Sequence, residues 1–145
     1  MKTAYSAFFL LLLVAIPFNL PAKETDPLFN SARQAIEEKD FDTAIRKLEQ
    51  AIKSDPQNSE YYRWLGRAYG LQAEQATWFR AISLAKKARI NFEKAVELDP
   101  ENIGALLDLR EFYSQAPSFL GGGQKKADKI TEKLKALGYD DEQQV

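Results

Sequence analysis

The sequence predicts an all-α domain in which six helices pair into about three antiparallel hairpins, stacked as a helical-hairpin repeat. Three observations carry this expectation. KLEQAIKSDPQNS at 47–59 aligns without gaps to NFEKAVELDPENI at 91–103, sharing Glu49/Glu93, Ala51/Ala95, Asp55/Asp99, Pro56/Pro100 and Asn58/Asn102. Apolar residues recur at helical rather than strand spacing, as in Phe41, Ala44, Leu48 and Ala51. Each aligned copy also ends in Asp-Pro with Asn two residues on. Proline lacks an amide hydrogen and halts one helix, and asparagine is suited to cap the next.

The elements follow in order. A first helix is expected over 27–38, with Asp26 and Pro27 as its cap and first-turn pair and Leu28, Ala32 and Ala35 on its inner side. The stripe from Phe41 to Ala51 predicts a second helix over 41–53. Asn58 opens a third over 59–75, whose inner face is Tyr62, Leu65, Gly66 and Tyr69, continued by Ala73 and Ala76. Trp78, Ala81, Ala85, Ala88, Phe92 and Ala95, spaced 3, 4, 3, 4 and 3, predict a fourth over 78–98 with Thr77 as cap. A fifth is expected over 102–115, and a sixth over 124–137 with Gly138 as its stop.

Composition narrows the function. With 145 residues, 45% apolar and 28% charged, the chain can build a single core. The formal charge of -1, from 20 basic and 21 acidic residues, gives no field that would draw nucleic acid. Without cysteine or histidine there is no thiol nucleophile, no Ser-His-Asp constellation and no Cys/His zinc site. Carboxylates such as Glu37, Glu38, Asp40 and Asp42 fall near expected helix ends, where solvated charge is ordinary. No catalytic residue, metal site or cofactor is therefore expected, and the chain is not read as an enzyme.

Residues 1–22 read as a signal peptide. Lys2 supplies a positive start, AFFLLLLVAI at 7–16 is an uncharged apolar run, and Pro17 and Pro21 end it before the charged KETD. Cleavage is expected after Ala22, which places the protein in a secreted or periplasmic space. A membrane would be touched only if the segment stayed uncleaved. The domain then spans 23–138, with repeats at about 26–57, 58–101 and 102–137, and an acidic tail at 139–145.

The arrangement resembles the tetratricopeptide repeat family. Tyr62, Leu65, Gly66 and Tyr69 match its large, leucine, small, aromatic pattern in a first helix. Ala44, Leu48, Ala51 and Pro56 match its second-helix series, as do Ala88, Phe92, Ala95 and Pro100. The resemblance implies a protein or peptide partner bound in a concave groove lined by the first helices. By position that face holds Phe29, Arg33, Arg63, Arg67, Leu107 and Glu111. Arg63 and Arg67 share a helix face and could grip a partner's carboxylate, or simply pair with Glu60 or Glu74. LGRAYG, DPEN and FYSQAPSFLGGG together are also similar to a group of exported bacterial repeat proteins without assigned biochemistry, which implies location more than activity.

Three departures from the family pattern stand out. Pro56 and Pro100 are 44 residues apart, against about 34 in the usual repeat, so both arms of the second hairpin should be longer. Arg110 stands where a small residue is expected. The third repeat carries APSFLGGGQKKA at 116–127. This loop is expected beside the tip of the long hairpin, so that Pro117, Phe119 and Leu120 would cover Trp78 and Phe79. A second reading makes the loop a small-molecule or anion site, with Gly121, Gly122 and Gly123 at a helix N-terminus and Lys125 and Lys126 nearby.

Overall fold

A computed structural model describes residues 26–139. The segment at 1–22 expected to be a signal peptide and the acidic tail beyond Tyr139 lie outside the described residues. Six α-helices follow one another: α1 (Pro27–Glu37), α2 (Phe41–Ser54), α3 (Ser59–Glu74), α4 (Trp78–Leu98), α5 (Ile103–Gln115) and α6 (Gln124–Ala136). There is no strand among the described residues.

The helix ends rest on local chemistry. Asp26 Oδ1 accepts from the Leu28 amide at 2.9 Å, with Pro27 in the first turn. Asn58 and Asn102 cap α3 and α5, accepting from the amides of Glu60 (3.1 Å) and Ala105 (3.0 Å). Gly138, at a φ of 80°, closes α6, and the Tyr139 amide reaches back to the Leu134 carbonyl at 3.0 Å. Thr77 does precede α4, but its side chain makes no capping bond.

α1 packs on α2, α3 on α4 and α5 on α6, and the hairpins stack through α2 on α3 and α4 on α5. The first helices also touch one another, α1 to α3 and α3 to α5, so they share one face of the stack. The buried interior is small and apolar: Ala32, Ala44, Leu48, Ala88 and Leu106 are each at most 1% exposed. Small residues let helices close in. A Cβ on Gly66 would stand 2.7 Å from the Phe92 ring, so α3 and α4 approach as closely as they do only because that carbon is missing.

Two packing expectations fail. Tyr61, not Tyr62, is the buried tyrosine at the start of α3; it lies against Phe29, and its hydroxyl donates to Asp26 Oδ2 at 2.7 Å. Tyr62 is half-buried and donates to the Pro56 carbonyl instead. The loop does not cover the hairpin tip: Trp78 is 67% and Phe79 86% exposed, and Phe119 stands out at 59%. The lengthened arms simply carry these rings past the point at which the loop meets α4.

The junctions between hairpins share one polar contact. Tyr69 on α3 donates to Glu49 Oε1 on α2 at 3.2 Å, and Tyr113 on α5 donates to Glu93 Oε1 on α4 at 2.8 Å. Burial raises both phenols above their ordinary value, with the carboxylate adding to the effect, and Tyr69 reaches about 12. Glu49 and Glu93 are among the residues shared by the two aligned copies.

Candidate partner-binding groove

Helix α3 has two working faces. Leu65, Ala68 and Tyr69 turn into the core. Glu60, Arg63, Trp64, Arg67, Leu71 and Glu74 recur at helical spacing on the other side, toward the face shared by α1, α3 and α5.

Trp64 is the centre of this second face. Its ring lies 6.2 Å from Phe29 in an edge-on arrangement, and Nε1 donates to Glu60 Oε2 at 3.2 Å. Three guanidinium groups approach the ring: Arg67 at 4.6 Å, Arg33 at 4.9 Å and Arg63 at 5.8 Å. Each is within reach of a cation–π attraction to the ring.

Arg63 is the most committed of the three. Its Nε donates to Asp108 Oδ2 at 2.8 Å and its Nη1 to Glu60 Oε2 at 3.3 Å. Gly104 makes room, since a Cβ there would fall 2.4 Å from the guanidinium carbon. Glu60 in turn accepts from Asn102 Nδ2 at 2.7 Å. Burial holds the Asp108 carboxyl above the usual carboxylate value, and the hydrogen bond and charge of Arg63 oppose that rise. Arg63 is therefore a strut between hairpins, and its pairing with Glu60 is the one the sequence suggested.

Beyond Arg63 a groove of about 320 Å³ opens between α3 and α5, with Arg67, Leu71, Glu74, Phe92, Asp108 and Glu111 among its walls. Of the residues placed on this face from sequence, Arg67 and Glu111 line the groove, whereas Phe29 and Arg33 lie outside it, against the Trp64 ring that Arg67 also covers. Leu107 is half-buried on α5 and is not part of the groove wall. Trp64 and Asp108 are the residues that sequence reasoning missed. The stripe Glu60, Trp64, Arg67, Leu71 was available to find the first of them.

The glycine loop has a different character. The amides of Gly121, Gly122 and Gly123 donate to the carbonyls of Ser118 (2.9 Å), Pro117 (3.2 Å) and Tyr113 (2.7 Å). An anion cradle needs those N–H groups, and here the backbone already uses them. Lys126 Nζ donates to the Gly121 carbonyl at 2.8 Å and sits 5.2 Å from the Tyr113 ring centre, while Lys125 is exposed. Gly121, at a φ of 91°, lies against Arg89, where a Cβ would come within 2.8 Å of Cδ and Nε. Arg89 pairs with Glu93, the carboxylate that also receives Tyr113. The loop is thus fastened to α4 and α5, well short of the hairpin tip.

The described chain is an all-α helical-hairpin repeat protein. Within it, residues 33–72, from the middle of α1 into α3, match the family model of the TPR repeat. Among curated proteins, none matches the chain. TPR repeats generally mediate protein–protein interaction, and the family is typically non-enzymatic. No group of Asp and Glu among the described residues is arranged to hold a metal ion, and no helix there is long and apolar enough to cross a membrane.

Proposed function

We propose that this protein is an exported adaptor of the bacterial cell envelope, which holds a peptide or helix of a protein partner along the face shared by α1, α3 and α5. The observation that carries the reading is Trp64: a half-buried ring with three guanidinium groups at 4.6, 4.9 and 5.8 Å, beside an open groove. An aromatic ring and fixed cations at the mouth of a cleft suit a partner segment that brings both apolar contact and carboxylates. Support for export comes from Lys2 and the apolar run at 7–16. The alternative, a small-molecule or anion site at residues 121–123, has no support in the loop's geometry, because its amides are already bonded.

Capture from an envelope extract tests the reading. Wild-type protein should retain a partner that Trp64→Ala releases while its helicity stays unchanged. Equal capture by both would remove the groove from consideration. N-terminal sequencing of the protein recovered from cells should begin near Lys23, and material that begins at Met1 would overturn export by cleavage.

A further inference from the structure

The groove ends in a recess of about 260 Å³ that a regular repeat would not contain. Ala85 and Ala88 on α4 form one wall, and Ala116 and Leu120 bring in the inserted loop, the part that departs from regularity. Phe92 and Phe112 also line it. Ligand clefts run to about 300–1,000 Å³, so this space suits one side chain better than a free small molecule.

Gly70 stands at the mouth, in the interior of α3, and lines both the groove and the recess. Glycine weakens a helix interior, so its presence calls for a reason. At Gly66 the reason is the Phe92 ring, 2.7 Å from where a Cβ would be. At Gly70 no such reason exists: the backbone is helical, and an added Cβ would meet nothing within 4 Å. What its absence does is keep the recess open. Glu74 lines the recess and the groove, Glu111 lines the groove beside it, and both are exposed; Arg67, in the same groove, lies over Trp64.

We infer that the recess is a socket for one aliphatic or aromatic side chain of a partner peptide, and that Glu74 and Glu111 receive a Lys or Arg beside it. The inference rests on the groove reading and adds the partner's chemistry: a basic segment with an apolar anchor at this end, complementary to the exposed carboxylates of Glu74 and Glu111.

Short capped peptides titrated into the isotope-labelled protein test it by NMR. One is centred on Leu and flanked by Lys; its counterparts replace Leu by Gly, or Lys by Glu. The Leu/Lys peptide should shift the resonances of Gly70, Ala85 and Leu120 and bind about tenfold or more tightly than the Gly-centred one. The Glu-flanked peptide should be weaker. Gly70→Leu, which fills the socket from within, should abolish the difference between Leu and Gly centres, whereas Gly70→Ala should keep it. Three results would overturn the socket: no binding by about 1 mM, shifts confined to Trp64 and Arg33, or a recess occupied by Trp78 or Phe79 of a second copy, revealed by concentration-dependent self-association. None of these touches envelope capture through Trp64, so the groove reading stands or falls separately.

Discussion

Arg63 on α3 donates through Nε to Asp108 Oδ2 on α5 at 2.8 Å, a bond that joins the second hairpin to the third across the open face. The two side chains are 20% and 17% exposed, so water screens the pair little. Either Arg63→Ala or Asp108→Ala should destabilise the fold by about 1.5–3 kcal/mol, the range for a hydrogen bond to a charged group. In urea melts, the double variant should lose less than the sum of the single losses, because each single change strands the other partner. Additive losses would show that the bond contributes little.

At the hairpin tip the expectation is the reverse. Trp78 is 67% exposed, so Trp78→Ala should leave stability within about 0.5 kcal/mol of wild type. A thermal melt lowered by several degrees would mean that the ring is covered in solution.

Glycine positions separate close packing from open space. Gly66→Ala drives a Cβ to 2.7 Å from Phe92 and should cost about 1–3 kcal/mol. Gly122→Ala should be worse tolerated, since its Cβ would fall 1.8 Å from the Ala116 carbonyl oxygen and the backbone itself must move. Gly70→Ala meets nothing and should stabilise by about 0.5–1 kcal/mol. Melting the three variants side by side checks the order.

Alkaline pH should loosen the hairpin junctions. Burial and Glu49 raise the Tyr69 phenol from 10.0 to about 12, so folding favours its protonated form. That contribution is complete below pH 10 and is lost as pH climbs toward 12. Stability followed by urea melts should fall across this window, and Tyr69→Phe, which cannot ionise, should fall less steeply. An identical slope in both proteins would refute the assignment.

The helix ends were legible because each is fixed by a residue or two acting locally. Asp26-Pro27, Asn58, Asn102 and Gly138 mark boundaries that the structure places within one residue of expectation. Periodicity likewise exposed Phe41, Ala44, Leu48 and Ala51, all buried. Trp64 was obscured because its neighbours Phe29 and Arg33 arrive from another helix, and a stripe on α3 says nothing of what faces it. The loop misled for a similar reason. Its apolar residues are visible in sequence, but their place depends on Gly123 reaching the Tyr113 carbonyl and on Arg89 lying under Gly121. Leu107 shows the limit of transferring positions between repeats: where α3 has Arg63, α5 has a leucine outside the groove.

Among the described residues, the two outer hairpins pack on the central one and not on each other. Influence from one end of the stack to the other must therefore pass through α3 or α4. Substitutions on α1 and α5, such as Ala32 and Leu109, should accordingly act as independent events whose free energies sum, while each should show interaction energy with a change at Leu65, which belongs to the same core cluster. Among the described residues, the middle hairpin is where a sequence change is felt in both directions along the stack.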